Sequence, residues 1–420
     1  MNKRTFLKNA TFGSLGAMLS FDGIAQVVKK YASVPLKELA GDEDFWTTIR
    51  EGYKLKPDYI NLENGYYNFV PEQVLEKFIG HVREVNYHGS YYMRNFQVKT
   101  NRAMAAKLAE IAGCEADELI ITRNTTESLD LVISGFDWKP GDEAIMAEQD
   151  YGTMRAMFNQ VSKRYGVINK VVSVPNIPKS DDDIVNVYAS AITDKTKLLM
   201  VSHMINITGQ ILPIRKICDM AHKRGVQVMV DGAHSFAHFK FSIADLDCDY
   251  FGSSLHKWMS VPLGCGILYV NKKNIGKVWP LLAAGEKNID DITRLGHTGT
   301  HPAHTHLAIG AAIDFYNILG GERKEERLRF LQNYWTSKVR DIPNIIINTP
   351  ADPARVCGIA NVGIKGMKPA DMADTLFTKY KIFTAKIDGS GAVGCRITPN
   401  VYTSTAELDV FVNALKELQS

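Results

Sequence analysis

Short apolar runs recur along this chain at intervals that suit a layered α/β fold. Residues 226–235, VQVMVDGAHS, pass through β-branched and apolar side chains and end on a carboxylate, Asp231. That pattern reads as a buried strand whose carboxy-terminal end faces a ligand crevice. Comparable runs stand at 118–123 (ELIITR), 143–148 (EAIMAE), 197–203 (KLLMVSH) and 264–270 (GCGILYV). Between them, residues 94–112 have helical spacing and stop at Gly113, Asn124-Thr125-Thr126-Glu127 opens a helix, and 153–165 and 213–223 are also predicted helical. The strand at 197–203, the helix from Pro213 and the strand ending at Asp231 form one βαβ unit, and such a unit implies a parallel sheet.

The two ends of the chain read differently. Charges and aromatics suggest a helix over 36–53, after which DYINLENGYYNFVP (58–71) turns through Asn64-Gly65 into Pro71. Tyr66 and Tyr67 in this turn are either pocket walls or plain core. Residues 307–340 are strongly helical with a break at Gly320-Gly321. Then come short strands (344–348, 358–364, 396–398), a helix at 369–380 and a closing helix at 405–418, with Thr405 expected as its cap.

With 420 residues, 45% hydrophobic and 23% charged, the chain is long enough to bury a large core and form two domains, or one with an appendage. A net charge of +3, with its basic residues dispersed, gives no nucleic-acid footprint. The six cysteines form no C-x-x-C, which argues against a zinc site or a redox dithiol. Four histidines cluster at 297, 301, 304 and 306, but Gly299 and Pro302 keep His297 and His301 off a common helix face and no carboxylate or cysteine completes a set, so no metal is expected. Residues 389–394 spell G-x-G-x-x-G, yet a strand and a proline follow rather than a helix. A pyrophosphate would find no helix N-terminus there, so the motif reads as a hairpin loop and a dinucleotide-binding dehydrogenase is set aside.

The opening MNKRTFLKNATFGSLGAMLSF has Lys3-Arg4, then Phe6-Leu7-Lys8, then a weakly apolar stretch too short and glycine-rich to span a bilayer. It looks like a twin-arginine export signal, with Lys3 where a second arginine is preferred; the alternatives are cleavage, with Ala25 the candidate site, and a cytoplasmic leader. Export is favoured over a cytoplasmic leader.

The most telling stretch is 249–258, DYFGSSLHKW, where Lys257 follows small residues and a histidine at the end of an apolar run. Pyridoxal phosphate needs a lysine to hold it covalently and an acid to keep its pyridine nitrogen protonated. Lys257 and Asp231 could supply both, although taken alone such a pair is more often a solvated lysine and a turn-forming aspartate. The pattern D-G-A-H at 231–234, followed by S-x-H-K at 254–257, resembles the class V aminotransferase family of fold type I pyridoxal-phosphate enzymes, which includes cysteine desulfurases and isopenicillin N epimerase.

The resemblance, over roughly residues 55–415, implies a large domain with a mostly parallel seven-stranded sheet and a small α/β carboxy-terminal domain. It implies an organisation of 1–30 as export signal and linker, 31–75 as a segment joining the small domain, 76–305 as the large cofactor-binding domain, and 306–420 as bridging helices and small domain. Thr125, Thr126, Ser254 and His256 would contact the cofactor phosphate, with Thr300 reaching the phosphate of a second subunit in a homodimer. Tyr151 would stack on the ring, and Asn206 and His234 would lie near its phenolic oxygen. Arg396 would grip a substrate α-carboxylate, a task that suits its fork of donors. The activity implied is chemistry at the α-carbon of an amino-acid substrate, ranked as epimerisation, then transamination, then β-elimination. A non-catalytic cofactor-binding protein is the remaining alternative, and the presence of both Lys257 and Arg396 argues against it.

Overall fold

In the computed structural model, which describes residues 20–283, 285 and 288–419, the apolar runs become strands of one central sheet. The chain contributes β1 (Ile60–Asn61), β2 (Leu119–Thr122), β3 (Glu143–Ala147), β4 (Ile168–Val172), β5 (Thr196–Ser202), β6 (Gln227–Asp231), β7 (Tyr250–Ser254) and β8 (Gly266–Val270). All but β1 form the seven-stranded sheet, ordered β2-β8-β7-β6-β5-β3-β4. Neighbours are parallel except that β8 runs against both β2 and β7.

Strand alternation explains the layering. Ile145, Leu199, Val201, Val228 and Val230 face one core, while Ala144, Met146, Leu198, Met200 and Met229 face another on the opposite side. Both faces are covered, so these strands read as continuous apolar runs.

A second unit holds β9 (Ile345–Ile347), β10 (Ala360–Ile364), β11 (Ile382–Phe383), β12 (Ala385–Gly389) and β13 (Ala392–Ile397), four of which form an antiparallel sheet ordered β12-β13-β10-β9. Its core includes Trp335, Phe411 and Leu62. Leu62 comes from the amino-terminal arm, whose β1 pairs in parallel with β11. The helices Ala303–Leu319 and Gly321–Thr336 lead into this unit and break at Gly320, which takes a left-handed φ of +86°.

Several boundaries differ from the expected ones for local reasons. The helix predicted over 36–53 is two helices, Leu36–Leu39 and Glu43–Arg50, because Asp42 caps the second by accepting the Phe45 N–H at 2.9 Å. Ser404, not Thr405, caps the last helix, in a reciprocal pairing with Glu407. Strand β4 and the helix Asp181–Ala191 were not anticipated: β4 is an edge strand with only partial burial, so its sequence INKVV carries little apolar signal. The glycine-rich 389–394 stretch is the β12–β13 hairpin, turning through Ser390 (φ +53°) and Gly391 (φ +81°), the sign a two-residue hairpin turn requires.

The export motif lies outside the described residues. Ala25 falls inside the helix Phe21–Lys30, whose Ile24 is buried in the main core. Among the described residues, no helix is long and apolar enough to cross a membrane.

Candidate active site

The carboxy-terminal ends of β5, β6 and β7 open into a cavity of about 370 Å³ lined by Asp231, Lys257, Arg396, Thr125, Thr126 and Tyr151, with Asn206, His234, Ser254 and His256 completing the wall. Ten of the eleven residues expected at the site therefore meet in one place. Thr300 is the exception: it is exposed and outside this cavity in its own chain.

Lys257 sits where β7 gives way to a loop whose carbonyls are gripped one after another. The Asn68 backbone N–H donates to the carbonyl of His256 at 3.2 Å, and the Asn68 amide to that of Lys257 at 2.5 Å. The buried ammonium of Lys324 donates to the carbonyl of Trp258. Asn68 is itself fixed, its Oδ1 accepting from the Asn400 amide at 2.7 Å. Protein surrounds much of the Lys257 amine at the cavity wall. That enclosure pulls its pKa down to about 8, against the attraction of Asp231.

Asp231 ends β6, paired in register with Ser202 and Gly252. Gly232 must be glycine, since a Cβ there would lie 1.9 Å from the Phe251 ring. The Asp231 carboxylate accepts the Ala233 N–H at 2.9 Å. Burial raises its pKa, with that hydrogen bond and Lys257 opposing. Behind it lies a second buried carboxyl, Asp150, which takes the Ser202 hydroxyl at 2.7 Å and the Ala147 N–H at 2.7 Å. Burial, with the charge of Asp231 adding to it, moves Asp150 up to about 7.

At the far wall the helix Thr125–Gly135 presents its N-terminus, an environment that favours anions. Asn124 is the cap, accepting the Glu127 N–H at 2.9 Å. The Thr125 hydroxyl lies 2.7 Å from that of Ser254, which also takes the Thr125 N–H at 2.8 Å, so β7 and the helix start are locked together. Gly266 permits this approach: a Cβ there would stand 2.7 Å from Cα of Asn124. The Nδ1 atom of His256 is buried with no hydrogen-bond partner among the described residues, and burial holds that ring at about 4, hence neutral.

Arg396, in β13, reaches in from the smaller unit. Its Nη2 and Nε donate to Glu63 at 2.5 and 3.3 Å, and its Nη1 to the carbonyl of Asn206 at 3.2 Å. The His234 ring sits between Lys257, 3.1 Å from its Nε2, and Trp258, whose indole N–H donates to its Nδ1 at 3.3 Å. Glu63, Asn68, Asp150 and Lys324 carried no signal in the sequence, because each acts through a contact with a distant segment. Trp258 stood beside the lysine, but no local pattern shows what its N–H meets.

The residues fit pyridoxal phosphate: a helix N-terminus with two hydroxyls and an orphaned His256 nitrogen for the phosphate, a buried carboxylate for the ring, and an amine of lowered pKa for the aldehyde. Comparisons with known proteins agree. An isopenicillin N epimerase from Amycolatopsis lactamdurans is 27% identical over 392 residues, covering 89% of this chain and 98% of that protein. A hercynylcysteine sulfoxide lyase from Schizosaccharomyces pombe is 21% identical over 383 residues, covering 89% and 97%. Among solved structures, a cysteine desulfurase from Thermococcus onnurineus matches with a TM-score of 0.77 at 20% identity, over 88% of this chain and 97% of that one, which supports the fold. The model of the aminotransferase class-V family matches residues 69–408. This chain thus belongs to the class V aminotransferase family and is a pyridoxal-phosphate-dependent enzyme.

Proposed function

We propose that the enzyme breaks the Cα–H bond of a free or peptide-terminal amino acid, with epimerisation its first-ranked outcome. The observation that carries this reading is the convergence of Lys257, Asp231 and Arg396 on one cavity. Likeness to isopenicillin N epimerase along most of the chain supports the ranking.

Bound here, pyridoxal phosphate supplies an aldehyde that condenses with amines and a ring that takes up the electron pair left at Cα. Asp231 would keep the proton on the pyridine nitrogen. Thr125, Thr126, Ser254 and His256 would hold the phosphate, Tyr151 would cover the ring, and Asn206 and His234 would face the phenolic oxygen. Arg396 would hold the α-carboxylate. Lys257, displaced by the incoming amine and with its pKa lowered by burial, would take the Cα proton. Delivery of a proton to the opposite face by a second acid, distinct from Lys257, inverts the centre; protonation elsewhere transaminates, and loss of a β-substituent eliminates.

Transamination ranks second and β-elimination third, the latter supported by similarity to the hercynylcysteine sulfoxide lyase. Incubating the cofactor-loaded enzyme with an amino-acid panel, followed by chiral chromatography and mass spectrometry, separates them. A D/L mixture from one substrate supports epimerisation, a keto acid moves the assignment to transamination, and a released β-fragment moves it to elimination. If no amino acid changes, the proposal fails.

A homodimer is part of the proposal, since the exposed Thr300 loop would complete the phosphate site of a second copy. So is export: changing Lys3 and Arg4 to glutamine should hold the chain in the cytoplasm, and persistent secretion would refute a twin-arginine route. Because Ile24 is packed in the core, the leader would be retained or cut before Phe21.

A further inference from the structure

The Arg396 guanidinium has five N–H donors, and three are already committed inside the protein. Glu63 takes Nε–H and one Nη2–H, and the carbonyl of Asn206 takes one Nη1–H. One N–H remains on each terminal nitrogen, the number that the two oxygens of one further carboxylate need. The pair is well shielded, with side-chain exposures of 9% for Arg396 and 7% for Glu63.

The arm that carries Glu63 is built for this contact. Thr398, two residues after Arg396, accepts the backbone N–H of Asn64 at 2.6 Å and of Gly65 at 3.1 Å. Gly65 lies against the guanidinium so closely that a Cβ would stand 2.7 Å from Cζ. The Tyr66 N–H donates to Glu63 Oε1 at 2.8 Å, which orients the carboxylate toward the arginine. Arg396 and Gly65 both line the cavity.

We propose that Glu63 is a positioning and specificity-determining residue, which holds one edge of Arg396, leaves the other to the substrate, and sets a fixed negative charge beside the incoming ligand. The inference rests on the reading of Arg396 as the α-carboxylate site and deepens it. An anion that approaches a free arginine meets a full positive charge, but here the repulsion of Glu63 offsets much of that attraction. A zwitterionic amino acid brings its own ammonium, which the same carboxylate attracts. The site therefore prefers amino acids over carboxylates that lack an amine.

The test uses the resting cofactor-loaded enzyme, titrated calorimetrically with propionate and with tetramethylammonium, a cation that cannot condense with the cofactor aldehyde. Glu63→Gln keeps an acceptor beside Arg396 but removes the charge. Propionate should bind about tenfold more tightly, while tetramethylammonium binds more weakly. Opposite shifts are the signature of charge, since a merely structural defect would weaken both. Glu63→Asp, which keeps the charge, should retain the wild-type ratio of the two affinities; it also carries the test if the glutamine variant does not fold. Arg396→Met should lose propionate binding.

If propionate depends on Arg396 but Glu63→Gln leaves it unchanged or weaker, or if Glu63→Asp shifts the ratio, the role given to Glu63 is overturned while the arginine site stands. If Arg396→Met binds propionate normally, the carboxylate site is wrong and the inference falls with it.

Discussion

Nζ of Lys257 lies 3.1 Å from Nε2 of His234, and what the other nitrogen of that ring does decides the character of the contact. The Trp258 indole N–H, a donor only, points at Nδ1. The neutral ring must then carry its proton on Nε2 and donate it to Lys257. Burial first, and the nearby charges of Lys257 and Arg396 next, keep the His234 pKa well below its usual value, so the ring stays neutral. A donor aimed at the lysine favours the uncharged amine.

The pH dependence follows from this arrangement. With burial setting Lys257 near about 8, against 10.5 for an ordinary lysine, the amine is free to react above that pH. Cofactor uptake by the stripped protein should slow about tenfold per unit as pH falls below 8 and level off above it. Trp258→Phe, which releases the tautomer, should move the plateau upward. Stopped-flow absorbance measures both, and a wild-type rate still climbing at pH 10 would refute the assignment.

Asp231→Asn should retain cofactor on Lys257 but lower turnover by about a hundredfold or more, because the ring loses the group that holds its proton. Borohydride reduction with peptide mapping checks the first half, and steady-state rates the second. Unchanged turnover would remove Asp231 from the mechanism.

If the proposed dimer forms, Thr300→Ala should loosen cofactor retention several-fold without disturbing Lys257, because Thr300 would reach the phosphate of the second copy. Sedimentation joined to a dialysis time course reads both properties. A fully active, cofactor-loaded monomer would contradict this.

Cysteine desulfuration through an enzyme persulfide should be absent. Cys357 and Cys395 are wholly buried, and burial pushes their thiols up to about 12 and 11, far from the thiolate such chemistry needs. Sulfide release from cysteine that disappears in both Cys357→Ala and Cys395→Ala would show otherwise.

Much of this was legible in the sequence, for a definable reason. Val226 to Asp231 announces a strand because sheet burial on both faces leaves a continuous apolar run, and the ends of such strands gather the site. What was hidden depends on distance along the chain. The Glu63–Arg396 pair joins residues far apart in sequence, and Lys324 reaches the Trp258 loop from a distant helix. Hydrophobic periodicity describes an element's faces, not which polar group will meet which. The Ser404 cap was missed more simply, since adjacent hydroxyl residues compete for one position and the winner depends on where the helix begins.

The most direct measurement follows deuterium from solvent into substrate. The cofactor-loaded enzyme is incubated in D2O with an amino acid that it turns over, and recovered substrate is read by mass spectrometry and proton NMR. The account predicts deuterium at Cα with the wild-type enzyme and none above background with Lys257→Ala reconstituted with pyridoxal phosphate. Turnover by the wild type without Cα deuterium in recovered substrate or product, or undiminished exchange by the alanine variant, would contradict it.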